Sequence, residues 1–148
     1  MSKWVCSVIF LLVAGCTYNV QPLQPLSDKF YDIQQRTLNK SCAYSGCHYG
    51  DYSDINFPKA YLALQPDSAY NQLLYNHKIQ DHTVAQQFKA LVVPGDPDGS
   101  YLVYKLKLSA SSSLYGDPMP SRQGALPQNE IDAIVSWIKR GAPCDTAK

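Results

Sequence analysis

The chain has 148 residues, with 13 lysines and arginines against 12 aspartates and glutamates. A formal net charge of +1 without a basic stripe lacks the electrostatic footprint of a nucleic-acid binder, so nucleic acid is not an expected partner. The length suits one folded body with its own core.

The N-terminus reads as an export signal. Lys3 gives a positive start, Val5 to Ala14 is an almost unbroken apolar run too short to span a bilayer, and Ala14-Gly15 supplies small residues before a cleavage point. Val13-Ala14-Gly15-Cys16 resembles the lipobox of bacterial lipoproteins. That resemblance implies that residues 1–15 are removed and that Cys16 carries lipid; an ordinary secretory signal with a nearby cysteine is the alternative. Thr17 after the anchor, rather than an aspartate, is similar to lipoproteins sorted to an outer membrane. The expected location is therefore the bacterial cell envelope, lipid-anchored and facing the periplasm. Residues 16–27, with Pro22 and Pro25 among polar residues, suit an extended tether, which leaves 28–148 as the folded domain.

The first helical pattern starts at Ser27 or Asp28, places Phe30, Ile33 and Leu38 on or near one face, and leads into Cys42. Gly50 to Pro58 reads as loop. Pro66-Asp67-Ser68 is a start signal for a second helix with Tyr70, Leu73 and Leu74 in helical spacing. Asn76 to Val93 has no clear assignment. Asp96-Pro97 looks like the next start, with a capping acid, proline in the first turn, Leu102, Val103 and Leu106 facing inward, and Lys105 and Lys107 at the negative end of the dipole. The last helix is the best defined. It opens at Pro127, carries Glu130 and Asp132 early, buries Ile131, Ile134, Val135 and Ile138, and ends in Lys139-Arg140 before Gly141 and Pro143. About four helices with irregular connections predict an all-α domain. A small α+β domain, in which Ala90 to Val93 pairs as a strand, is the alternative.

Cys42, Cys47 and His48 form the element C-x4-C-H, a stretched version of the c-type haem attachment motif, which usually has two residues between its cysteines. Two thiols can add across the vinyl groups of a haem, and an imidazole directly after the second thiol can then ligate the iron. After Cys6 leaves with the signal and Cys16 goes to lipid, Cys42, Cys47 and Cys144 remain. Two thioethers would leave Cys144 over, whereas one thioether at Cys47 and a Cys42–Cys144 disulfide would use all three. The pair is slightly favoured, on the expectation that the ends of the first and last helices lie close. A structural disulfide without any cofactor, and a zinc site of Cys42, Cys47, His48 and one further histidine, are the alternatives for the motif.

Met119 is the one methionine left after the signal, and it lies in Gly116-Asp117-Pro118-Met119-Pro120, away from any helical apolar stripe. A proline-stiffened loop suits the presentation of a sulfur to an open metal position. His77 and His82 are alternatives as the second iron ligand.

Taken together, the C-x4-C-H element after an N-terminal helix, the Met-Pro loop and a closing helix reading Leu126-Pro127, Glu130-Ile131, Ile134, Trp137-Ile138 and Gly141-Ala142-Pro143 resemble a small single-haem c-type cytochrome over residues 28 to 143. The resemblance implies one haem c, His48 and Met119 as proximal and distal iron ligands, and thioethers at Cys47 and Cys42. It also implies that Phe30 and Trp137 meet where the first and last helices cross. Val93-Pro94-Gly95-Asp96-Pro97 with Ser100-Tyr101-Leu102 resembles the middle of haem-binding envelope lipoproteins, where a structural job is expected. The implied activity is electron transfer rather than enzymatic turnover, with another redox protein as a transient partner and a membrane held through Cys16. A haem-based ligand-binding or sensing module, and a cofactor-free disulfide-stabilised lipoprotein, are the alternative functions.

Overall fold

The computed structural model describes residues 25–51, 57–76, 78–109, 114–121 and 123–145. The signal, Cys16 and most of the tether lie outside these residues, as does His77. Five helical segments succeed one another: α1 (Phe30–Ile33) continuing directly as π1 (Gln34–Cys42), α2 (Ala69–Asn71) continuing as π2 (Gln72–Asn76), α3 (His82–Gln87), α4 (Tyr101–Lys107) and α5 (Gln128–Lys139). A 3-10 turn, Lys59–Tyr61, lies between π1 and α2. Strand-like pairing among the described residues is confined to isolated bridges, among them Ala90 with Ser100 and Val93 with Asp96. The domain is all-α, and the strand expected in the alternative reading shrinks to these bridges.

The first helix appears where its apolar face predicts, but its winding differs. Beyond Ile33 the backbone opens to π-helical turns, in which each N–H reaches the carbonyl five residues back. The five-residue step from Ile33 to Leu38 fits that winding, and both side chains are buried. Ala43 N–H closes the last turn on Leu38 O at 2.7 Å.

α1–π1 and α5 run antiparallel against each other. Near the start of the first helix, Ser136 Oγ and Arg140 Nε both donate to Asp28 Oδ2 at 2.8 Å. Near its end, Thr37 Oγ1 donates to Glu130 Oε2 at 2.8 Å from a fully buried position. Between these polar clamps Phe30 meets Trp137 with ring centroids 5.1 Å apart, the contact that the resemblance implies, and Tyr70 of α2 adds an edge contact at 5.1 Å from Phe30. Trp137 Nε1 donates to Pro143 O at 2.9 Å and Tyr70 OH to Ala142 O at 3.0 Å, so neither polar tip is orphaned. Burial pushes the Tyr70 hydroxyl up to about 12.

Two expectations need correcting here. The region from 76 to 93 contains a fifth helix, α3, capped by Asp81, whose Oδ1 accepts from Val84 N–H at 3.0 Å. And α4 begins at Tyr101 rather than at Asp96-Pro97. Asp96 instead folds a turn: its Oδ1 accepts from Gly99 N–H at 2.9 Å, and its carbonyl accepts from the buried Ser100 Oγ at 2.7 Å. The orphan donors at the start of α4 are then met from outside the helix, Tyr101 N–H by Ala90 O at 3.2 Å and Leu102 N–H by Leu91 O at 2.9 Å. The same segment reaches α5, where Gly95 N–H donates to Ile138 O at 2.8 Å. These bonds lock 90–100 between α4 and α5, which gives the segment a structural job.

Candidate functional site

The cysteine loop hangs from the end of π1 and folds back on it. Cys47 N–H donates to Tyr44 O at 3.0 Å and His48 N–H to Cys42 O at 3.1 Å, with Gly46 supplying the left-handed residue at φ 79°. The four-residue spacer is thus a compact hydrogen-bonded turn rather than a slack loop. Two further bonds anchor it to the segment between the loop and α2: Lys59 N–H to Cys47 O at 2.7 Å and Leu64 N–H to His48 O at 2.8 Å.

His48 is oriented by two carbonyls. Its Nδ1 stands 3.1 Å from Lys59 O and 3.2 Å from Leu62 O. Both partners only accept, so Nδ1 must carry the proton and Nε2 is left with its lone pair, the tautomer that a metal-ligating imidazole needs. Burial lowers the His48 pKa, which favours the neutral ring. Between the two accepting carbonyls lie Ala60 and Tyr61, both at φ 55°, left-handed positions that non-glycine residues seldom adopt.

Met119 comes from a separate loop. Its N–H donates to Lys105 O at 3.0 Å, which ties the Met-Pro loop to the end of α4. Tyr101 OH donates to Tyr115 O at 2.9 Å and holds the beginning of the same loop.

Cys42, His48 and Met119 together wall two adjoining hollows. The smaller, of about 30 Å³, adds Tyr44, Cys47, Lys59 and Pro120. The larger encloses about 200 Å³ within a recess of about 760 Å³ that opens to solvent, and its wall is formed chiefly by leucines 62, 64, 73, 91, 102 and 106 with Tyr101. A flat apolar ring system with one edge toward water suits such a concave, mostly apolar recess. The Cys42 thiol is pushed up to about 12, first by burial and then by the fields of Glu130 and Cys47, so it is a neutral thiol here.

Other candidate residues are elsewhere. Cys42, Cys47 and Cys144 are all free thiols, and the fold does not bring Cys144 to Cys42. The reason is the antiparallel crossing: Cys42 ends π1 near Glu130 at the start of α5, while Cys144 lies beyond the far end of that helix, whose 12 residues span about 18 Å. His82 is exposed at the start of α3, and among the described residues no three His, Cys, Asp or Glu side chains converge as a metal site. Neither the turn at 59–62 nor the leucine wall was picked out from sequence, and Lys105 was read only as a partner of the helix dipole. Its side chain instead lines the larger hollow, and its amine donates to Tyr115 O at 3.4 Å.

No family model, no curated protein and no solved structure matches the chain. No helix among the described residues is long and apolar enough to cross a membrane.

Proposed function

We propose that the chain is a c-type electron carrier with one haem, attached to the cell envelope by lipid on Cys16. The observation that carries this reading is the sharing of one apolar cleft by Cys42, Cys47, His48 and Met119, residues 71 positions apart at the extremes that matter, His48 and Met119 (119 − 48). When bound, the haem iron would accept and give up a single electron, with its potential raised by a thioether ligand.

Each residue has a task. His48, already oriented through Nδ1, would be the proximal ligand through Nε2. Met119 would be the distal ligand, its sulfur steadied by the bond from its own N–H to Lys105 O. Cys47 and Cys42 would be the points of covalent attachment, and the ordered turn between them supports a fixed separation despite the longer spacer. The leucine wall would exclude water from the ring and favour the less charged ferrous state. The partner would be another redox protein meeting the open mouth of the cleft in a small, transient interface.

The test is to express the full chain in a host with haem-maturation machinery and to record its mass and its pyridine haemochrome spectrum. A coloured protein with one covalent haem is expected, and the band position counts the thioethers. Met119→Ala should keep the haem and bind carbon monoxide readily, where the parent resists it. A colourless chain without a porphyrin adduct overturns the proposal.

A further inference from the structure

One group in the cleft wall is not explained by its apolar surroundings. Lys105 is half-buried on α4, and with Leu102 and Leu106 it lines the larger hollow. An ammonium removed from water needs a good partner, and this one has weak ones. Nζ is 3.4 Å from Tyr115 O and 5.8 Å from the centroid of the Tyr101 ring. No carboxylate lies within ion-pairing distance of it among the described residues, and no aspartate or glutamate lines either hollow. Asp117, on the loop, is the acid whose field reaches it.

The bond to Tyr115 can also be given up without cost to its acceptor. Tyr101 OH already donates to that carbonyl at 2.9 Å, so the oxygen stays satisfied if the amine turns away. Gly116 leaves the space for it, since a Cβ at that left-handed position (φ +78°) would stand 3.0 Å from Nζ. Lys105 O meanwhile keeps its hold on Met119 N–H at 3.0 Å. The residue therefore holds the methionine loop with its backbone while its side chain lines the larger hollow.

We propose that Lys105 is the anion-binding residue of this cleft, pairing through Nζ with a carboxylate at the edge of the bound ring. The proposal rests on the haem reading, because a porphyrin is an apolar disc with carboxylates on one edge. Lys59, the other charged residue at the cleft, is exposed and keeps its ammonium in water, so it contributes less.

Iron-free protoporphyrin IX separates this contact from iron ligation and from thioether formation. The full chain, purified without haem and kept reduced, is titrated by fluorescence with protoporphyrin IX and with its dimethyl ester, in which the carboxylates are capped. The parent should bind the free acid roughly tenfold or more tighter than the ester, as expected for a charge-assisted bond. Lys105→Met should abolish that preference while leaving ester binding intact, Lys105→Arg should retain most of it, and Lys59→Met should change it little. Unchanged ester binding doubles as the check that Lys105→Met has folded. If Lys105→Met keeps the parent's preference for the free acid, the assignment of Lys105 is wrong and the haem reading stands. If the parent takes up neither porphyrin, both fail.

Discussion

The crossing of α1–π1 with α5 and the cleft between His48 and Met119 use the same kinds of side chain but differ in what those side chains face. At the crossing, Phe30 and Trp137 touch protein on every side, and the polar atoms at its margins are paired through Asp28, Ser136 and Arg140 and through Thr37 and Glu130. At the cleft, leucines face a void of about 200 Å³, two successive non-glycine residues are left-handed, and an amine has no carboxylate partner among the described residues. The first region is assembled to be stable by itself. The second carries features that cost stability in the free chain and make sense once something apolar and anionic fills the recess.

Truncating one aromatic and one leucine tests that contrast most strongly. Trp137→Ala removes a side chain that is 1% exposed and should cost about 3–5 kcal/mol in chemical denaturation of the free chain. Leu102→Ala, on the cleft wall, should cost only about 1 kcal/mol, because its cleft side has few atoms to lose contact with. Equal losses for the two would mean that the cleft closes in solution and that the wall is ordinary core.

The same division governs how much was legible in the sequence. The crossing was readable because periodic apolar residues and end signals are local: Phe30, Ile33, Ile134 and Ile138 are all buried as expected. The π winding was not, since a single five-residue step from Ile33 to Leu38 is too short a pattern to distinguish from an irregular α-helix. α4 was placed too early because Asp96-Pro97 and Ser100 are both good starts, and the choice between them is made by carbonyls of residues 90 and 91 that arrive from elsewhere in the fold. At the site, Cys42, Cys47, His48 and Met119 could be named because their chemistry is unusual at those spacings. The carbonyls at 59 and 62 and the Lys105 amine could not, because their roles arise only when distant segments meet. Cys144 was matched to Cys42 on the assumption that both helix ends meet, and the antiparallel arrangement separates them.

A smaller effect, of the opposite sign, is expected at the turn that orients His48. Ala60 at φ 55° sits where an L-residue loses about 1–2 kcal/mol, whereas glycine is at ease there but loses more freedom on folding, by about 0.5–1 kcal/mol. Ala60→Gly should therefore raise the stability of the free chain, by about 1 kcal/mol at most, as read from its denaturation midpoint. Leu102→Ala lowers stability at the same cleft, so the two variants distinguish an underfilled wall from a strained frame. A loss of stability in Ala60→Gly would show that the left-handed turn is not populated in solution.

The weakest expected effect belongs to the margin of the crossing and depends on pH. The Ser136 hydroxyl and then the Arg140 guanidinium, acting against partial burial, hold the Asp28 carboxyl below its ordinary value of 3.8. A group whose folded pKa is depressed adds stability above its unfolded pKa and loses it as pH falls through the folded one. Asp28 should thus contribute fully at neutral pH and progressively less below about pH 4. Its side chain is 35% exposed and that of Arg140 42%, so solvent and salt screen the pair and the contribution is small. Asp28→Asn keeps a hydrogen-bonding group but removes the charge, and should flatten the acid limb of the stability profile while hardly moving its neutral plateau. An acid limb as steep in Asp28→Asn as in the parent would assign the acid sensitivity to carboxyls elsewhere, and the packed aromatics rather than the ionic margin would then be what holds α1–π1 against α5.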